Sequence, residues 1–156
     1  MVPLSQLRSI WSVLENPANR HRAVGLTEEQ WHAFTNTFDE DGARAFYQRC
    51  AIPASGGILW NSVPANLMPG PQDAHVDYRN GARPPLLFVS GSEDHFMPPT
   101  VQRSNAEHYS GDTVTEAREY TGYPHLLPAA PGSEQIADDV LDWALAHATG
   151  APSGVS

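Results

Sequence analysis

Pro84-Pro85-Leu86-Leu87-Phe88-Val89-Ser90-Gly91-Ser92-Glu93-Asp94-His95-Phe96-Met97-Pro98-Pro99 is the stretch on which the fold turns. Leu86 to Val89 form a short unbroken apolar run between a proline pair and Gly91. A strand with one wet face alternates apolar and polar residues, whereas a strand buried on both faces of a parallel sheet reads as a continuous run. A proline in the first turn suits a helix, so one is predicted from about Pro98 to Tyr109. Val114 to Tyr120 is a second candidate strand, with Val114, Glu116, Arg118 and Tyr120 on one side and Thr115, Ala117 and Glu119 on the other. A closing helix is predicted over about Ser133 to Ala148, with Ile136, Val140, Leu141, Ala144 and Leu145 as its apolar stripe. The order strand, helix, strand, helix implies a right-handed βαβ unit with parallel neighbouring strands, hence an α/β fold class.

Working towards the N-terminus, the rhythm changes. Residues 1–72 read as helices and loops rich in aromatics. Leu7, Ile10, Trp11 and Leu14 recur at helical spacing and predict a helix over Leu4 to Leu14, ended by Asn16-Pro17. Thr27-Glu28-Glu29-Gln30 is a capping box, with Thr27 as cap and Gln30 reaching back, ahead of Trp31, Phe34 and Phe38 on one face. Asp39 is placed to cap a helix carrying Ala43, Phe46, Tyr47 and Cys50. Residues 52–57 break that helix, and Ile58 to Asn66 hold a further short one. Met68 to Asp73, with Pro69 and Pro71 around Gly70, reads as a connector. The domain expectation is therefore a helical segment over 1–72, an α/β segment over 73–149 and a flexible tail over 150–156.

The loops after the two strands carry the chemistry. In open parallel sheets, reactive groups gather beyond the carboxyl ends of the strands. Asp94 lies just past the first strand, and His125, in Tyr123-Pro124-His125-Leu126, just past the second. One helix and one strand separate them, so both fall on the same sheet edge. A carboxylate there is placed to hold an imidazole in one tautomer, and the imidazole to take and return a proton.

The segment from Arg83 to Pro98 resembles the penultimate strand and acid loop of the α/β-hydrolase family. Tyr123-Pro124-His125, with a final amphipathic helix ending near Asp142-Trp143, is similar to that family's histidine loop and last helix. The resemblance implies that Asp94 is the acid and His125 the base of a catalytic triad, and that residues 1–72 correspond to the helical lid. It also implies a serine on a Gly-x-Ser-x-Gly elbow, between strand and helix and ahead of the acid. This sequence contains no such pattern. Ser92 follows Gly91 on the acid loop, and Ser55 precedes Gly56-Gly57 with no strand predicted before it, so neither reads as an elbow nucleophile. The expectation is the C-terminal portion of a hydrolase, supplying acid, base and lid but no nucleophile.

Phe96 and Leu126, each adjoining a candidate catalytic residue, and Trp31 and Phe34 of the lid are candidate walls of an apolar substrate pocket. Small or medium apolar esters are the expected substrates. His95 reads as a neighbour rather than a participant, and the spacings of His75, Asp77, Glu93 and His95 match no compact metal motif, so no metal and no cofactor are expected. Asp138, Asp139 and Asp142 read as the solvated face of the last helix.

Composition narrows the field further. The 156 residues carry 9 basic and 18 acidic side chains, a net charge of −9 that argues against nucleic acid or an anionic membrane as partner. Every basic residue is Arg; the lack of Lys excludes Schiff-base chemistry and a Walker-type phosphate loop. One cysteine, Cys50, forms no internal disulfide. No apolar run approaches a membrane span and the N-terminus lacks a signal-peptide layout, so a soluble cytoplasmic chain is expected. A two-stranded parallel sheet has an open edge, which raises the further expectation of a homodimer or of a complementing N-terminal half.

Overall fold

The computed structural model describes residues 10–65 and 76–148. The start of the predicted first helix, the connector Met68 to Asp73, His75 and the tail from Thr149 lie outside them.

The helical half begins with a helical turn over residues 10–14 and a 3-10 turn, Pro17–His21, capped by the Asn16 side chain. Buried Asn19 ties these together: its Nδ2 donates to the carbonyls of Ser12 and Val13 at 3.1 Å, and its Oδ1 accepts from Arg22 Nε at 2.7 Å. Two pairs of residues, β1 (Ala23–Val24) and β2 (Ala54–Ser55), form an antiparallel bridge that the sequence did not signal, because two residues carry no periodicity. Helix α1 (Glu28–Thr35) starts at the predicted capping box, with both reciprocal hydrogen bonds formed. Helix α2 (Glu40–Cys50) starts at Asp39, whose carboxylate accepts from Gly42 N at 2.8 Å. Helix α3 (Gly56–Ala65) follows.

The second half is the predicted α/β unit. Strand β3 (Leu86–Gly91) pairs in parallel with β4 (Thr115–Tyr120), Leu86 opposite Thr115 through Gly91 opposite Tyr120. Helix α4 (Pro99–His108) connects them, and α5 (Ser133–His147) closes the fold after a short 3-10 turn, Leu127–Ala129. The chain is thus a loosely mixed α/β structure with a small parallel sheet.

Several expectations are corrected. Of the first-helix positions, Ile10 is buried but Trp11 is 60% exposed, and Val13 takes the inward place. Of the α5 stripe only Ile136 is buried; Trp143 is the other inward anchor, while Leu141 and Leu145 are 55% and 66% exposed. Both are explained by a helix whose apolar residues lie on two faces, of which this fold covers one. Leu86 to Val89 are half-buried rather than buried on both faces, since among the described residues β3 has a neighbour on one edge only. Asp139 is not simply solvated: it accepts from Arg118 Nη1 at 2.7 Å and from the Tyr120 hydroxyl, pinning α5 to β4.

Candidate functional site

β3 can run up to the histidine loop because Gly91 has no side chain. A Cβ at that position would lie 2.1 Å from the Tyr123 carbonyl oxygen. The acid loop then knits itself to the far strand: Ser92 N donates to Tyr120 O at 2.9 Å and Glu93 N to Tyr123 O at 3.0 Å. Ser92 Oγ accepts from Gly122 N and donates to Glu93 Oε1, so this serine serves the loop and is not aimed at His125.

Asp94 is buried at 5% exposure, and a buried carboxylate needs partners. Its Oδ1 accepts from the amides of Phe96 and Met97 at 2.9 and 2.6 Å, an Asx turn that locks the carboxyl plane. Its Oδ2 faces Nδ1 of His125 at 2.8 Å. One oxygen of Asp94 thus closes a local turn while the other faces the imidazole. Donation from Nδ1–H to the carboxylate leaves Nε2 as the basic nitrogen. Among the described residues the bond to Asp94 is the sole hydrogen bond of the His125 ring.

The imidazole is held from the helical side. Phe34 and Phe96 stand edge to face against it, with centroids 5.2 and 5.0 Å away, and lie tilted on each other at 4.7 Å. Leu126 N donates to Phe34 O at 3.1 Å, and Asn36 Nδ2 to Glu93 O at 2.9 Å, so the end of α1 is bonded to both loops. Of the predicted site residues, Asp94, His125, Phe96, Phe34 and Leu126 thus come together. Trp31 stands one layer out, on Phe34 at 5.3 Å. His95 is exposed and makes no bond to Asp94. Among the described residues no cluster of three or more His, Cys, Asp or Glu side chains is placed to hold a metal, and no helix is long and apolar enough to cross a membrane.

Two concave regions adjoin the pair. One, about 380 Å³, lies among the helical elements and has Phe34 and Phe96 in its wall. The other, an open groove of about 570 Å³, is bordered by Val89, His125, Leu127, Ile136 and Val140. Apart from His125, neither Asn36 nor the groove residues read from sequence as parts of a site. An asparagine at a helix end carries no pattern that says which distant loop it meets, and apolar residues on β3 and α5 read as core.

Comparison with protein families, with curated proteins and with solved structures finds no match for this chain.

Proposed function

We propose that this chain contributes the acid and base of a serine-type hydrolase of the α/β-hydrolase kind, acting on carboxylic esters of small or medium apolar acids. The observation that carries this reading is the 2.8 Å contact between Nδ1 of His125 and a buried Asp94 carboxylate whose other oxygen is fixed by two amides. A carboxylate so restrained sets the ring's orientation and tautomer and stabilises the imidazolium formed during turnover.

In the complete site, Nε2 of His125 takes the proton of a serine hydroxyl as its oxygen attacks the ester carbonyl. The proton passes to the departing alkoxide, leaving an acyl-serine and a free alcohol. Water then gives a proton to the same nitrogen while attacking the acyl carbon, and the proton returns to serine as the acid leaves. The serine belongs to a polypeptide segment other than the described residues; the edge of β3 that no described residue pairs, next to the Asp94 loop, suits a parallel strand ending at this site. The cytoplasm is the proposed compartment.

The test is ester turnover with 4-nitrophenyl esters and labelling by a serine-directed phosphonate. The chain alone is expected to turn over no faster than its His125→Ala form. Joined to a segment bearing Gly-x-Ser-x-Gly, it is expected to hydrolyse ester, with His125→Ala costing on the order of 10²–10⁴-fold in kcat. An active joined protein indifferent to His125→Ala sinks the proposal.

A second reading, an interaction module without turnover, is favoured by one observation: among the described residues β3 has an open edge, and Leu141 and Leu145 of α5 lie exposed. Under it the chain is a defined oligomer inert to the phosphonate.

A further inference from the structure

Helix α5 carries more apolar surface than the described fold covers. At 3.6 residues per turn, Ile136, Val140, Ala144, Ala137, Leu141 and Leu145 follow one another around about half of its circumference. Ile136, at one margin, is buried beside Trp143; Val140 is half-buried, and the rest of the arc is exposed. The covered margin turns into the groove of about 570 Å³ that Val89 of β3, Leu127 and His125 border from the other side. Beyond Leu141 and Leu145 the helix is acidic. Glu134, Asp138 and Asp142 stand at i, i+4 and i+8, about 6 Å apart along the axis. Like charges at that spacing destabilise a helix. Among the described residues no Arg or His pairs with any of the three, whereas Asp139 is taken up by Arg118 and Tyr120.

We propose that this face of α5, with the groove beside it, docks an amphipathic helix of a separate polypeptide. Its apolar stripe covers Val140, Leu141 and Leu145, and its basic flank, Lys or Arg at i, i+4 and i+8, meets Glu134, Asp138 and Asp142. Charge decides the occupant. A basic flank supplies the counter-charges that the acidic row lacks and relieves its internal repulsion. A second copy instead brings acidic row to acidic row. None of its described helices carries more than two Arg, and of the two on α2, Arg44 is already held by Glu28 and Glu40. Self-association through Leu141 and Leu145 is thereby confined to high concentration. The inference does not depend on the roles read for Asp94 and His125.

The probe is a labelled helical peptide of about 16 residues with leucines in one stripe and arginines along its flank; its control has glutamate for every arginine. Titrated with the intact chain and followed by fluorescence anisotropy, the arginine peptide is expected to bind about tenfold more tightly than the control, or better. Glu134→Gln with Asp138→Asn and Asp142→Asn is expected to weaken it about fivefold or more, and so is Leu141→Gln with Leu145→Gln. Glu15→Gln with Asp41→Asn and Glu107→Gln removes as much charge at exposed positions on other parts of the chain, and is expected to change affinity by less than about twofold. All these substitutions lie at exposed positions, so helix content by circular dichroism is expected to stay the same. The ring protons of His125, which borders the groove, are expected to shift in NMR spectra as the peptide binds. Equal losses from the two charge sets reduce the effect to the net charge of −9 and overturn the proposal. Affinity indifferent to the leucine pair, or His125 signals that stay still at saturation, also overturns it. A dimer in sedimentation that the arginine peptide does not displace gives the face to a second copy, with the same result.

Discussion

Asp94 divides its two oxygens between the backbone and a side chain, and that division makes the pair sensitive to substitutions that barely change shape. In Asp94→Asn an amide nitrogen replaces one oxygen, and either the turn amides or the imidazole lose an acceptor. In the serine-completed hydrolase proposed above, this variant is expected to lower kcat on the order of 10⁴-fold while the fold survives, as judged by circular dichroism. Full activity in Asp94→Asn removes the carboxylate from the mechanism. Gly91 is the second sensitive residue. A methyl group there meets the Tyr123 carbonyl at 2.1 Å, so strand and histidine loop must part. Gly91→Ala is expected to cost about 1–3 kcal/mol in urea unfolding, the range for overpacking a filled position. An unchanged midpoint shows that the loops separate freely.

At the scale of elements, α1 begins at a capping box and ends bonded to the loops that carry Asp94 and His125. Its Thr27 cap accepts from Gln30 N while Gln30 returns the bond, so Thr27→Ala is expected to cost about 1 kcal/mol. Because Phe34 and Asn36 hold the histidine and acid loops, fraying of α1 is also expected to speed hydrogen exchange at Leu126 N, whose acceptor is the Phe34 carbonyl. Exchange at Leu126 unaffected by the variant separates the cap from the site. The α5–β4 contact has a pH signature. The Tyr120 hydroxyl first, and then Arg118, holds the Asp139 carboxyl below the ordinary carboxylate range. Burial, followed by Asp139, pushes the Tyr120 hydroxyl up. A lowered carboxyl stabilises the fold above its unfolded-state pKa and loses that contribution as pH falls through the folded value. A raised tyrosine stabilises below its unfolded-state pKa and loses that contribution as pH rises through the folded value. Urea midpoints of the chain and of Asp139→Asn are therefore expected to differ most near neutrality and to converge in acid and in alkali. A constant difference across the range refutes the linkage.

Across the whole molecule the packing is divided. Among the described residues Ile10 and Val13 are buried in the helical half, while Leu127, Ala130, Ile136 and Trp143 are buried beneath α5. The halves meet through Phe34, Phe96, His125 and the two hydrogen bonds from Leu126 and Asn36. The site is therefore also the seam, and Phe34→Ala is expected to loosen both. Meanwhile β3, composed as an inner strand, has a bare edge among the described residues, and α5 presents Leu141 and Leu145 to water. Unpaired edges and exposed apolar residues favour association. Sedimentation of the 17.0 kDa chain is expected to show species larger than a monomer at rising concentration, reduced by Leu141→Glu with Leu145→Glu. A monomer at every concentration shows that these surfaces do not self-associate.

By itself the sequence determined the elements whose signals are local: the caps at Thr27 and Asp39, the run Leu86 to Val89, and proline at the start of α4. It also determined that Asp94 and His125 share one sheet edge, because parallel strands joined by a single helix bring their exits together. Only the tertiary structure decided what depends on residues distant in sequence. It turned Val13 and Trp143 inward and Trp11 and Leu141 outward, since a helix with two apolar faces buries whichever meets a neighbour. It drew Asp139 into a network, since that carboxylate's partners lie 19 and 21 residues away. It brought Phe34 onto the imidazole, because a contact across 91 positions leaves no periodic trace in the chain.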